Sequence, residues 1–194
     1  MYTARTGLIL GFHGTDQSVV NKVLKGADLE PKNNSYDWLG NGIYFWDNSP
    51  SRALEWAKEL SKRPNSKIKK PAVIGAILDL SYCLDLLDYK NLSLVKSGYE
   101  ILKSTFDTTK TAFPQNTGTE DLLKRELDCA VIEALHQSMK DTGEKPFDSV
   151  RGVFWEGKAL YPNAGFRKKD HIQICIRNID CVKGYFLPLT RVSS

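Results

Sequence analysis

The chain has 194 residues, of which 41% are hydrophobic and 26% are charged. This length suits one domain with an apolar core, and this composition excludes an intrinsically disordered protein. The net charge of +4 is mild, so it permits an acidic partner without requiring one. No apolar run approaches the roughly 20 residues of a membrane-spanning helix, and the N-terminus lacks a signal-peptide pattern, so we expect no membrane association.

The four cysteines are scattered and form no CxxC pair; they are Cys83, Cys129, Cys175 and Cys181. Most of them lie in apolar runs, which is typical of buried thiols in a reducing compartment. Metal sites usually need closely spaced ligands. We therefore expect a cytoplasmic protein with no metal.

Strand and helix signals alternate in the first part of the chain. Residues 6–13 predict a strand, and residues 17–25 follow with apolar positions at helical spacing. The segment GNGIYF at residues 40–45 predicts a turn that opens a short aromatic strand. The Ser-Pro pair at residues 49–50 is typical of the N-cap and first position of a helix, and the apolar run 72–78 predicts a central strand.

The second half of the chain predicts helices followed by strands. Residues 84–146 are mostly helical in pattern, and Thr119 is a favourable N-cap residue for the most amphipathic helix. The apolar side of that helix is predicted to contain Leu122, Leu123, Leu127, Ala130, Val131, Ala134 and Leu135. Strands are predicted over residues 150–155, 172–176 and 181–187. The pattern predicts one α+β domain over residues 1–194, with residues 84–146 as a mostly helical insertion.

Three short segments of the sequence stand out as motifs. HGT at residues 13–15 ends the first strand, GNGIYF at 40–45 leads to a helix containing Trp56, and DHIQICI at 170–176 forms a late strand. In this order and spacing, they resemble the ADP-ribosyltransferases of the diphtheria-toxin and poly(ADP-ribose)-polymerase type, the H-Y-E class. This resemblance implies an ADP-ribosyltransferase-like split β-sandwich with flanking helices, with NAD as the substrate.

The resemblance also assigns roles to individual residues of the NAD site. Tyr44 and Trp56 would hold the nicotinamide ring, because aromatic faces attract a cationic pyridinium. The backbone of Gly14 would contact the nicotinamide carboxamide, and His13 would hydrogen-bond a ribose hydroxyl, with Thr15 beside them. Such positioning assists a reaction that passes through an oxocarbenium-like transition state.

The third position of the H-Y-E motif departs from the class. Gln173 stands where the class has a glutamate, so the hydrogen bond is kept and the negative charge is lost. This argues for single transfer or for hydrolysis of NAD rather than chain elongation. Glu156, at the end of a predicted strand, is the alternative catalytic carboxylate. Ala53 stands where the class often has a serine for the carboxamide, and the resemblance covers residues 7–60 well but residues 147–188 only loosely.

The loop before the late strand is the segment that contacts the acceptor in this class. It contains Phe166, Arg167, Lys168 and Lys169. An aromatic side chain beside three cations suits a nucleic acid, through base stacking and phosphate neutralisation. It equally suits an acidic protein surface, or no acceptor role.

The main hypothesis is a mono-ADP-ribosyltransferase that acts on a protein or nucleic acid, in the context of a microbial toxin or phage-defence effector with an antitoxin as partner. An NAD glycohydrolase and an inactive NAD- or ADP-ribose-binding module are the alternatives. Tyr44 and Trp56 could also be ordinary core aromatics, and His13 a strand-end histidine satisfied by the fold. His171 could lie at the mouth of the site.

Overall fold

The computed structural model describes residues 7–189 and has an α+β fold. Within these residues, the helices are α1 (Gln17–Val23), α2 (Pro50–Ser61), α3 (Tyr89–Thr109) and α4 (Glu126–Asp141). The strands are β1 (Ile9–Asp16), β2 (Ile43–Asp47), β3 (Pro71–Leu78), β4 (Cys83–Asp85), β5 (Asn116–Thr117), β6 (Lys124–Arg125), β7 (Ser149–Phe154), β8 (His171–Ile176) and β9 (Val182–Phe186). None of these helices is long and apolar enough to cross a membrane.

A seven-stranded sheet in the order β4-β7-β8-β2-β1-β3-β9 forms the centre of the molecule. Neighbouring strands are antiparallel, except that β4 runs parallel to β7. β1 pairs with β3 along eight residue pairs, but its ladder with β2 has only two, Gly11–Asp47 and Phe12–Trp46. The sheet is therefore continuous on one side of β1 and loosely joined on the other.

The two faces of the sheet have different covers, because side chains alternate along each strand. On the first, called the α1 face, Phe45 and Ile74 pack in one core cluster with Val20 of α1. On the second, called the α2 face, Phe12 and Trp46 pack against Ala53 of α2. Helices α3 and α4 cover the rest of the α2 face, towards β7 and β4.

Helix α4 begins later than the sequence predicts, so the assignment of Thr119 as its N-cap was wrong. The Thr119 hydroxyl donates to Asp121 instead. The amide of Asn116 caps the helix, because its Oδ1 accepts from the backbone N–H groups of Leu127 and Asp128. Predicted apolar-face residues Leu122 and Leu123 precede the helix and are 42% and 50% exposed.

The other predictions from periodicity agree with the fold to within a few residues. Ser49 is the N-cap of α2 and Pro50 its first residue, although the Ser49 side chain makes no capping hydrogen bond. Residues 84–146 are mostly helical, but the prediction was wrong at their start, where Cys83–Asp85 pairs with β7. All four cysteines are buried, as predicted.

Candidate functional site

The three segments that resemble the H-Y-E motif lie on three adjacent strands. His13 is on β1, Tyr44 on β2 and Gln173 on β8, and these strands are neighbours in the centre of the sheet. The register opposes Phe12 to Trp46 and Trp46 to Gln173. The fold thus brings together segments that are far apart in the sequence.

His13 lies where the ladder between β1 and β2 ends. Its Nδ1 is 2.7 Å from the backbone carbonyl oxygen of Tyr44, and its ring meets Phe45 edge-on at 5.9 Å between centroids. A carbonyl oxygen only accepts, so Nδ1 carries the hydrogen and Nε2 the lone pair. Burial lowers the pKa of His13, which keeps the ring neutral at pH 7. His13 therefore joins the two strands, on the α1 face, with Thr15 two residues further along the same face.

Gly14 has a packing role that the resemblance to the H-Y-E class does not imply. A Cβ atom at Gly14 would overlap the backbone carbonyl oxygen of Ala53 in the first turn of α2. The absence of a side chain therefore lets α2 lie directly against β1. The space beside Gly14 on the α2 face is filled by this helix.

Tyr44 and Trp56 lie in different parts of the α2 face. The Tyr44 hydroxyl donates to the Gly40 carbonyl at 2.9 Å and accepts from the Leu39 N–H at 2.8 Å. Burial raises the pKa of this hydroxyl well above its ordinary value. The ring partner of Trp56 is Trp46, at 5.3 Å between centroids with the planes tilted by 54°.

Gln173 is held by a hydrogen bond within the protein. Its Oε1 accepts from the indole Nε1 of Trp38 at 2.6 Å. The Trp38 ring lies over Gly152 of β7, where a Cβ atom would be 2.6 Å from it. Gln173 is therefore fixed beside Trp46, its register partner on β2.

Glu156 belongs to a buried group of side chains that we call the Arg52 cluster: Trp46, Arg52, Glu156 and His171. Both carboxylate oxygens of Glu156 accept from Nη2 of Arg52 at 2.8 Å, and the two side chains are only 12% and 9% exposed. The His171 Nδ1 is 3.8 Å from the same carboxylate. The Arg52 guanidinium lies 5.9 Å from the Trp46 ring centre, and the His171 ring lies 6.1 Å from that of Trp46.

In the described part of the chain, most of the buried side-chain nitrogens without a hydrogen-bond partner lie in the Arg52 cluster. Five buried side-chain nitrogens in residues 7–189 have no hydrogen-bond partner. Four of them are in this cluster: Trp46 Nε1, Arg52 Nε, Arg52 Nη1 and His171 Nε2. Buried polar atoms are nearly always satisfied, so this concentration makes the cluster a candidate binding site.

Of this cluster, the sequence pointed to Glu156 and His171 and missed Trp46 and Arg52. Arg52 and Trp56 are four residues apart in α2 and so share one face of the helix. That face is buried at Arg52, Ala53 and Ala57. An arginine on the buried face of an amphipathic helix was the available signal, since a buried arginine requires a carboxylate or another acceptor.

The proposed acceptor loop has fewer free cations than the sequence suggests. Phe166 is 66% exposed, and Lys168 is exposed as well. The guanidinium of Arg167 stacks on Trp155 at 3.6 Å and bonds the Gly157 carbonyl. Lys169 pairs with both Glu55 and Glu59 of α2.

A separate groove of about 440 Å³ lies between residues 33–41 and helices α3 and α4. Its lining includes Asn41, Phe106, Cys129 and Glu133, and none of the Arg52 cluster. Burial raises the pKa of the Cys129 thiol to about 11, which makes it a poor nucleophile at pH 7. Among residues 7–189, no group of three or more histidine, cysteine and acidic side chains is arranged to hold a metal ion.

The chain is 26% identical to the uncharacterized protein MJ0359 of Methanocaldococcus jannaschii over 191 residues. This match covers 89% of the chain and 83% of the archaeal protein. No protein-family model and no solved structure matches the chain. The archaeal similarity thus extends over most of both proteins and brings no activity with it.

Proposed function

We propose that this protein is an NAD-dependent ADP-ribosyltransferase of the H-Y-E type that transfers single ADP-ribose units to a macromolecular acceptor. The observation that carries the proposal is the position of the HGT, GNGIYF and DHIQICI segments on the adjacent strands β1, β2 and β8. A chance match of three short motifs has no reason to place them side by side. The short ladder between β1 and β2 also suits the split β-sandwich that the resemblance implies.

In the proposed reaction, the bond between nicotinamide and ribose breaks, and its electron pair leaves with the nicotinamide nitrogen. The acceptor's nucleophile bonds to the ribose carbon and releases its proton to water, so the products are neutral nicotinamide, the ADP-ribosylated acceptor and one proton. Glu156 is the carboxylate that stabilises the positive charge developing on the ribose. Gln173 is uncharged and is therefore the weaker candidate for that role. Both side chains already accept hydrogen bonds within the protein, Gln173 from Trp38 and Glu156 from Arg52.

The wider context of the proposal rests on the resemblance alone. A toxin or phage-defence effector, an antitoxin partner and a cytoplasmic location all belong to it. The acceptor is a protein or a nucleic acid that meets the exposed Phe166 and Lys168. NAD is the only small-molecule substrate that the proposal requires.

An NAD glycohydrolase is the second candidate function. Two of the three cations in the loop before β8, Arg167 and Lys169, are already engaged by other groups of the protein. A loop with so few free charges offers less to a macromolecular acceptor, and water can then take the acceptor's place. The site and its residues are the same in both functions.

The proposal is tested by incubating the protein with NAD labelled on the adenylate phosphate in a cell extract that supplies proteins and nucleic acids as acceptors. We expect labelled macromolecules with the wild-type chain and a loss of about 10²–10³-fold in rate for Glu156→Gln, as for removal of one charge-stabilising group. Glu100→Gln, an exposed position on α3, is the matched control and should retain full activity.

The products distinguish the alternatives. Free ADP-ribose without labelled macromolecules would support the glycohydrolase. NAD binding with no nicotinamide released over hours would support an inactive binding module. Full activity in both Glu156→Gln and His13→Ala would show that the assigned site is wrong.

A further inference from the structure

The unpartnered nitrogens of the Arg52 cluster define a hydrogen-bonding pattern that a ligand can complete. We infer that Trp46, Arg52 and His171 bind the carboxamide group of nicotinamide through their side chains. This inference rests on the proposed function and names which atoms recognise the leaving group.

The pattern consists of donors and one acceptor. The indole and the guanidinium only donate. The His171 Nδ1 is 2.6 Å from the carbonyl oxygen of Lys169, so it donates there and leaves Nε2 as an acceptor when the ring is neutral. A carboxamide is complementary, because its oxygen accepts from Trp46 or Arg52 and its NH₂ donates to His171.

The surrounding charges exclude an anionic ligand. Besides Glu156, the Arg52 guanidinium faces the carboxylates of Glu55 at 3.7 Å and Glu59 at 4.0 Å. Lys169 is the other cation of this group, and it pairs with the same two glutamates of α2. These three carboxylates outnumber the two cations, so a phosphate or a carboxylate would be repelled. A neutral amide on a cationic ring is favoured instead.

An aromatic surface for the ring lies next to these nitrogens. The rings of Trp46 and Trp56 are in contact at 5.3 Å, and the Arg52 guanidinium already lies over Trp46. Because Arg52 already holds the cation–π position over Trp46, which is 2% exposed, the half-buried Trp56 is the indole on which a pyridinium ring would stack. The tryptophan rings thus lie next to both the Glu156 carboxylate and the nitrogens proposed to bind the carboxamide.

The side chains of the Arg52 cluster replace the backbone of Gly14 as the groups that bind the carboxamide. The resemblance implies the backbone of Gly14, but helix α2 occupies the space beside Gly14, and Ala53 supplies no hydroxyl. Two ion pairs, Arg52–Glu156 and Lys169–Glu59, join α2 to the loop before β8. Because these nitrogens are buried, binding of a ligand would require the two ion pairs to open.

Calorimetric titration of the full chain with nicotinamide and with 3-methylpyridine, which lacks the carboxamide, tests the inference. We expect nicotinamide to bind at least about tenfold more tightly than 3-methylpyridine, as expected when two hydrogen bonds are lost. Trp46→Phe and His171→Phe should each reduce that ratio about 3–10-fold, since each removes one hydrogen-bonding nitrogen. His136→Phe is the matched control, because the buried Nε2 of His136 is also unpartnered but lies on α4, outside the cluster.

The outcomes separate this inference from the proposed function. If the wild-type protein turns over NAD and both variants keep the wild-type ratio, the inference is overturned and the proposed function stands. If NAD is not turned over but nicotinamide binds with the expected dependence on Trp46 and His171, the proposed function fails and the site remains. If a variant does not fold, NMR of the wild-type protein provides the test through the assigned indole N–H resonance of Trp46. This resonance should shift on addition of nicotinamide but not of 3-methylpyridine. An unchanged resonance with nicotinamide overturns the inference.

Discussion

Removal of the Arg52 side chain should destabilise the fold far more than removal of a surface charge. In Arg52→Met, the carboxylate of Glu156 stays 88% buried and loses both of its 2.8 Å hydrogen bonds to Nη2. Breaking a buried ion pair in this way costs about 3–5 kcal/mol. The double variant Arg52→Met/Glu156→Met removes both charges and should recover most of that loss.

Urea unfolding at pH 7, followed by circular dichroism, measures these free energies. Lys124→Met is the control, because the side chains of the Lys124–Glu126 pair are 57% and 33% exposed and the pair should contribute about 1 kcal/mol or less. A loss of stability in Arg52→Met no larger than that in the control would refute a stabilising buried Arg52–Glu156 pair. Additive effects of the two single substitutions in the double variant would refute it as well.

Three further predictions concern single positions. Gly14→Ala should cost about 1–3 kcal/mol of stability, because its Cβ overlaps the Ala53 carbonyl and α2 must move; unchanged urea unfolding would contradict the packing role of Gly14. Burial lowers the pKa of His136 to about 4 from 6.5, so the unfolded state takes up a proton first and stability should fall by at most about 3 kcal/mol as the pH drops from 6.5 to 4. His136→Phe should remove this part of the slope, and equal slopes for both proteins would count against it. Phe166→Ala should leave the melting temperature unchanged, since Phe166 is 66% exposed, and should lower transfer relative to NAD hydrolysis; an equal loss of both products would argue against an acceptor role.

Local patterns were sufficient for most of the strands and helices. The apolar run that became β3 and the Ser-Pro start of α2 are set by nearby residues, and the structure confirms both. The start of α4 was beyond local reasoning, because its cap comes from Asn116, ten residues before the first helical residue. Asn116 lies on the other strand of the β5–β6 hairpin, so no residue of the helix itself indicates that this side chain caps it.

The Arg52 cluster was less predictable for a related reason. Arg52 and Glu156 are 104 residues apart, and they meet because Gly14 lets α2 lie close to the sheet and because Glu156 follows the end of β7. A sequence pattern shows that each side chain is charged and that each lies near the end of an element. It does not show that both are buried, nor that they face each other.

The short ladder between β1 and β2 determines how one substrate could reach all of the candidate residues. His13 and Thr15 project on the α1 face, whereas Gln173 and the Arg52 cluster lie on the α2 face. A continuous ladder would separate these two groups completely. Because pairing stops after Phe12 and Trp46, His13 reaches across to the Tyr44 carbonyl where the next pair would form. A ligand that contacts both His13 and Glu156 would therefore lie at this divergence, and a substitution that extended the β1–β2 ladder should prevent it from contacting both.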